Sequence, residues 1–409
     1  MPDDHIVWDA PTRRDAIKYG GAVVGGGLFA GCTGDSSDGS GAGGESAADD
    51  GDDGTPTENT SYEACIEPAG CLTFEEAPET WLCYNGGWAD MAFALGQREG
   101  FITAGNMIPG FFFEPFGLDV PPQDELPPLR AEGKGWDKEL FLEYDPDVIL
   151  MDPEFMHGTG WYDNWDEEDT RAIQEQVAPF FGNNIRRRRE FHDYKLYTLY
   201  EGFERLADLF QEQERYEAFA TLHGEIQAEI ADRLPPESER PEVGLVNGGS
   251  DPNAGQFYPL NTKDEGYEMK PYRDLDVRSA FSQEMEEDGQ IDYERLLDVD
   301  PEIIIVHWGI GTTGDTNSFS AAAFREQYVT PMEEDSVGSE LTAVQEGNVY
   351  PGAYGEQGPI VNLLQTEMKA QQLYPEEFGA FDPEAFPEVP EENQLFDRQR
   401  VRDIITGDL

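Results

Sequence analysis

Residues 294–306 read ERLLDVDPEIIIV, and residues 139–151 read ELFLEYDPDVILM. Each opens on a Glu, runs through an amphipathic turn, is broken by Asp-Pro, and ends in an apolar, strand-forming run. Proline stops a helix because it lacks an N–H and its ring clashes with the preceding turn. The β-branched residues behind it suit a buried strand. One helix-stop-strand phrase therefore occurs twice, 155 residues apart. That repetition predicts two similar lobes, with the phrase at an equivalent place in each.

Working outward, TWLCYNGG (80–87) reads as a strand ending in a Gly turn. WADMAFALGQREGF (88–101) then has helical spacing at Met91, Phe93, Ala94 and Leu95. Alternation continues through DPDVILMDP and TRAIQEQVAPFF, and resumes after Pro241 in EVGLVNGG, PEIIIVHWG and GNVYPGAYG. Alternating strands and helices with continuous apolar strands predict an α/β fold, a parallel-type sheet flanked by helices in each lobe. Between the lobes the pattern is helical throughout. Leu196, Leu199, Phe203, Leu206 and Phe210 form one stripe; Phe219, Leu222, Ile226 and Ile230 form another. The break falls near 212–214, and Pro235 and Pro236 end the second helix. A helix from Gln213 to Arg233 would be about 30 Å long, a domain diameter. The chain thus divides into an N-terminal lobe (62–195), a helical segment with one long inter-lobe helix (196–234), a C-terminal lobe (241–375) and an extension (376–409).

The chain carries 85 acidic against 27 basic residues, a net charge of −58, and only seven Lys. Disorder throughout is excluded by 24 Phe, 17 Tyr and 7 Trp in periodic segments. Such a surface repels itself at low salt, whereas at 1 M salt charge is screened within about 3 Å. The composition resembles the acidic, Lys-poor proteins of extreme halophiles. No basic stripe is present for nucleic acid. The melting midpoint by circular dichroism is expected to fall sharply from molar to millimolar potassium chloride; a constant midpoint would refute this reading of the acidity.

Residues 12–32, TRRDAIKYGGAVVGGGLFAGC, read as an export signal. Arg13 and Arg14 form a twin-arginine pair before an apolar run too short for the roughly 20 residues of a membrane span. Ala30 and Gly31 before Cys32 resemble a lipobox, although Phe29 stands where Leu is usual and Ala16 where twin-arginine signals carry Phe. Cys32 would become a lipid-anchored N-terminus (signal 1–32). Residues 33–61 hold no Ile, Leu, Val or aromatic residue and read as a disordered acidic tether. Cys65 and Cys71 suit a small disulfide loop, with a metal site as the alternative; spacing does not decide between them.

Ligands of open α/β sheets bind beyond the carboxyl ends of the strands. Those ends here are MDPEFMHGTGWYDNW (151–165) and HWGIGTTGD (307–315). His157 and His307 follow the two buried strands directly, whereas His223, in the long helix, reads as a surface residue. Trp88, Trp161, Trp165, Trp308 and Tyr354 are candidate flat walls for a macrocycle or chelate. NNIRRRREF (183–191) concentrates four Arg in a chain that otherwise avoids them. Arg186 and Arg187 are candidates to pair with carboxylate or phosphate; the alternative is that they neutralise the protein's own carboxylates. No HExxH or HxH arrangement points to a built-in metal. A secreted α/β hydrolase and a non-transport surface lipoprotein are the competing readings; no G-x-S-x-G elbow or P-loop supports the first, and the long helix and aromatic-rimmed strand ends disfavour the second.

The order and spacing of LYEGFERLADLFQEQERYEAF (199–219), YERLLDVDPEIIIV (293–306) and AVQEGNVYPGAYGEQGP (343–359) resemble the substrate-binding proteins of ABC importers for iron-siderophores, heme and cobalamin. The resemblance covers roughly 62–375. It implies two α/β lobes joined by one long helix, no catalysis and no intrinsic cofactor, and a monomer that hands a metal chelate to a permease dimer with its ATPase subunits. It also implies that a Glu on each lobe docks on permease Arg residues. Those Glu stand seven residues before the Pro of the repeated phrase, at Glu139 and Glu294. The bland alternative is two ordinary solvated carboxylates.

Overall fold

The computed structural model describes residues 61–106, 108–131, 135–160, 165–311, 318–352 and 354–409. The expected export signal with Arg13, Arg14 and Cys32 lies outside them, as do the tether up to Thr60 and Trp161. Among the described residues no helix is long and apolar enough to cross a membrane.

The strands are β1 (Tyr62–Ile66), β2 (Gly70–Phe74), β3 (Trp81–Cys83), β4 (Phe101–Ala104), β5 (Arg130–Ala131), β6 (Gly135–Trp136), β7 (Val148–Leu150), β8 (Glu242–Asn247), β9 (Arg278–Ser279), β10 (Ile303–His307) and β11 (Val349–Pro351). The N-terminal sheet has the order β4-β3-β7 and the C-terminal sheet β11-β10-β8-β9. Every pairing in both is parallel. Strands β3, β7 and β10 are buried at every residue, as sheets covered on both faces require. Separate apolar cores support them. One gathers Leu82, Phe141, Ile149 and Phe155; the other gathers Val246, Leu296, Ile304 and Tyr328.

The repeated phrase folds alike in both lobes. Lys138–Tyr144 and Tyr293–Val299 are seven-residue helices. Asp137 and Asp292 cap their N-termini, each side chain accepting a backbone N–H of the first turn. Asp145 and Asp300 close them at φ 43° and 40°, with their N–H groups donating to Phe141 O and Leu296 O. A short Asp tolerates the left-handed region better than a bulky residue. β7 and β10 then follow.

Leu199–Phe210 and Gln213–Arg233 form the expected helix pair, broken at Gln211. Thr198 and Glu201 make a reciprocal capping box that fixes where the first begins. Phe219, Leu222, Ile226 and Ile230 are the buried stripe of the second. His223 departs from the surface expectation. It is partly buried, its ring packed at a 35° tilt against Tyr200 with centroids 4.2 Å apart, and its Nε2 accepts from Lys270 at 2.8 Å.

A helix that the periodicity did not single out, Pro359–Leu373, is buried at all of its 15 residues. Its N-terminus is capped from the N-terminal lobe. Asp90 accepts from the N–H groups of Gly358 (2.6 Å), Ile360 (3.0 Å) and Val361 (2.9 Å). The extension straps over the back. Arg398 pairs with Glu367, Arg400 with Glu225 of the linker helix, and Arg402 donates to Pro115 O. Cys65 and Cys71 face each other across β1 and β2 and are joined as a disulfide. Cys83 is a buried free thiol in β3.

Candidate functional site

Strand C-termini from both lobes converge on one seam. Asn85 follows β3 and Asn106 follows β4. His307 ends β10 and Trp308 follows it, and Tyr354 to Gly358 follow β11. The Arg segment enters the same seam from behind Phe180, which bridges β7 in parallel at Ile149.

At the centre lies the Arg186 guanidinium. Its Nε and Nη2 form a fork with Glu268, at 3.2 and 3.0 Å, and its Nη1 donates to Glu356 Oε1 at 3.0 Å. Its carbon lies 4.9 Å from the Trp308 ring centroid, within cation–π range. The three charged side chains are 12%, 5% and 0% exposed. Burial pushes the Glu268 carboxyl up, but the Arg186 and Arg187 cations reverse this and hold it well below the usual carboxylate range. Burial likewise opposes the Arg186 charge, and Glu268 and Glu356 more than offset it.

Glu356 ties the lobes together. Besides Arg186 it accepts from Asn85 (3.1 Å), Asn106 (2.8 Å), Tyr267 OH (2.6 Å) and the Gly87 N–H (3.4 Å). Five donors from both lobes thus converge on one buried carboxylate. Gly355 is required by close approach, since a Cβ there would sit 1.9 Å from the Trp308 ring. Trp308 itself is held at φ 69°. So bulky a residue persists there only when its surroundings over-determine it. Here the Glu268 carboxylate takes its indole N–H at 3.0 Å and the Tyr354 ring lies 4.9 Å away. His307 Nε2 faces Glu268 at 3.3 Å and Nδ1 faces Tyr272 OH at 3.1 Å. Burial lowers the His307 pKa, opposed by Glu268, so the ring is a neutral bridge.

Of the sequence candidates, the structure brings Arg186, Arg187, His307, Trp308 and Tyr354 together. Arg187 is the more accessible cation, with 43% of its side chain exposed and a 3.7 Å ion pair to Glu268. Arg188 pairs with Glu265 on the surface at 2.7 Å. Trp88 lies inside the N-terminal lobe, 1% exposed, its indole N–H donating to Asn183 O. His157 bonds Thr170 and Glu154 of its own lobe. Trp165 is buried in the N-terminal core. Glu139 and Glu294 are exposed in the first turns of their helices. Glu268, Glu356 and Asp90 were not foreseen. Their one signal was position: Glu356 stands in a Gly-flanked loop directly behind a buried strand.

Two histidines outside the seam give the chain a pH dependence. His192 Nδ1 accepts from the Arg189 N–H at 2.6 Å, and burial with the nearby Arg188 charge lowers its pKa to about 4. Burial and Lys270 lower that of His223 to about 3. Both lie below the roughly 6.5 of an unfolded chain. The unfolded state therefore takes protons first as pH falls, and stability drops from about pH 6.5 downward, by about 1.4 kcal/mol per unit for each group at most. Relief of carboxylate repulsion acts in the opposite sense, so a difference is the clean readout. At molar salt, the melting midpoint of His223→Gln is expected to gain on wild type between about pH 7 and 4. Parallel curves would contradict the buried neutral state.

A family model for periplasmic binding proteins matches residues 118–352, more than half of the chain. The chain belongs to the periplasmic binding protein family. Solved structures share its fold. A periplasmic binding protein from Veillonella parvula aligns at 15% identity and TM-score 0.54, covering 76% of this chain and 97% of that one. The iron-uptake ABC transporter substrate-binding protein PiuA of Streptococcus pneumoniae aligns at 16% and 0.51, covering 76% and 98%. Helicobacter pylori CeuE, solved as a nickel–histidine complex, aligns at 12% and 0.53, covering 86% and 96%. No curated protein matches the chain in sequence.

Proposed function

We propose that this protein is an extracellular, lipid-anchored receptor that captures a metal chelate between its lobes and delivers it to an ABC importer permease. A ferric siderophore is the first choice of cargo, with cobalamin or heme next. The observation that carries this reading is the seam itself. Strand ends of the C-terminal sheet carry His307, Trp308 and Tyr354, and the Arg segment of the N-terminal lobe brings Arg187 to the Glu268 that His307 and Trp308 also face, a set of groups suited to chelate recognition. These aromatic groups are buried, so the seam must part to admit cargo. The similar folds of PiuA, an iron-uptake protein, and of CeuE, solved as a nickel–histidine complex, agree with a metal-bearing ligand. Among the described residues the seam offers binding groups, and its one histidine–carboxylate pair, His307 with Glu268, is committed to Trp308, Tyr272 and Arg186, which favours capture over turnover.

The test is the absorption spectrum and native mass of protein purified from its own source in molar salt. Ferric siderophore, corrinoid and heme differ in colour and mass, and the reading expects one of them at near-unit occupancy after chelate feeding. Protein that stays colourless and ligand-free with all three counts against it. Anchoring is tested separately. Cys32→Ser is expected to release the protein into the medium, and Lys at positions 13 and 14 to retain it inside the cell. Membrane attachment of the Cys32→Ser protein in fractionation would exclude the lipid anchor.

A further inference from the structure

The Arg tract looks from sequence like a receptor for a strongly anionic cargo, but the protein has largely neutralised it. Arg186 is spent on Glu268 and Glu356, each bonded to it at 3.0 Å. Arg187 is drawn to the same Glu268 at 3.7 Å, and Arg188 to Glu265. His307 adds no charge. Burial, then the Arg187 and Arg186 charges, pull the pKa of Arg189 down to about 10. Even with Arg189 counted, the cations at the seam outnumber Glu268 and Glu356 by one at most. Glu268 is a built feature. It is 5% exposed, and its Oε1 is fixed by the Trp308 indole N–H (3.0 Å) and His307 Nε2 (3.3 Å).

We propose that Glu268 is a charge filter: by occupying Arg186 and attracting Arg187, it restricts the cargo to chelates of low net charge, neutral or singly anionic, and rejects multiply anionic ones. The proposal rests on the receptor reading above. Its physical basis is that each additional negative charge brought to the seam meets the Glu268 carboxylate with too little surplus cation to offset it. Like charges juxtaposed in a desolvated interface are strongly penalised, and selectivity of this kind comes from a repulsive element as much as from attractive ones. Buried charges remain effective at high salt, because screening acts mainly on exposed ones.

The experiment titrates the folded protein in molar potassium chloride with two probes, a neutral ferric trishydroxamate and a trianionic ferric triscatecholate, following tryptophan fluorescence. Wild type is expected to prefer the neutral chelate by about tenfold or more. Glu268→Gln keeps the shape and an acceptor for Trp308, and should move the affinity ratio toward the trianion by on the order of tenfold. Arg187→Gln, at a half-exposed position, should move the ratio the other way and carries the test should the Glu268 variant fold poorly. Wild-type preference for the trianion, or a ratio indifferent to both substitutions, overturns the filter while leaving the receptor reading intact. Failure of folded wild type to bind either probe overturns the filter, and failure to bind corrinoid and heme as well removes the receptor reading.

Discussion

Glu139→Ala combined with Glu294→Ala is expected to abolish uptake of the cargo while leaving its affinity and the melting point of the protein nearly unchanged. Both carboxylates are exposed, each in the first turn of a seven-residue helix that leads through Asp-Pro into a buried strand. An exposed carboxylate contributes little to folding, under about 1 kcal/mol even when paired. Across a desolvated interface with a permease cation, truncating one partner costs about 2–5 kcal/mol. Two such losses, one per lobe, would lower docking by several orders of magnitude. The equivalence of the two helices is what makes the pair credible among so many carboxylates. Each has an Asp N-cap and a left-handed Asp at its end, with φ 43° and 40°. Uptake is measured in cells beside calorimetric affinity of the purified variant. Wild-type uptake refutes docking, and lost affinity places the residues in cargo recognition instead.

Arg186→Met is expected to be the most destabilising single change at the seam, by about 3–5 kcal/mol, the usual cost of stranding a buried partner. It strips Glu268 of its fork and Glu356 of one of five donors. The melting midpoint should fall by roughly 4–7 °C for a folded body of this size. Arg188→Met is the control. Its pair with Glu265 has side chains 49% and 66% exposed, and the change should cost less than about 1 kcal/mol. Equal losses for the two variants would mean that the seam ion pairs do not hold the lobes together.

Much of the architecture is legible in the sequence because it rests on local signals. Asp145-Pro146 and Asp300-Pro301 stop helices, and the apolar runs behind them can only be buried strands. Two stripes of three- and four-residue spacing give the linker. The seam was half legible. His307, Trp308 and Tyr354 lie directly behind strands, so topology delivers them. Glu268 and Glu356 did not stand out, because a carboxylate carries no distinguishing mark in a chain with 85 of them. Their role comes from long-range packing: Asn85 and Glu356 are 271 positions apart yet bonded. The buried helix Pro359–Leu373 hid for a related reason. Asn362, Gln365, Glu367 and Lys369 interrupt its apolar pattern, and tertiary partners satisfy them, such as Pro351 O for Lys369 and Arg398 for Glu367. Trp88 and His157 show the converse. Residue type and position beside a strand end made them candidates, and packing gave them work inside the N-terminal lobe.

The measurement that bears most directly on the account is thermal unfolding in molar salt with increasing ferric chelate. A ligand that binds only the folded protein stabilises it by about 2.7 kcal/mol at a hundred times its dissociation constant. The account predicts a saturable rise of the melting midpoint with chelate and no consumption of it. A midpoint indifferent to ferric chelates, corrinoids and heme, together with turnover of ester or peptide substrates, would contradict it.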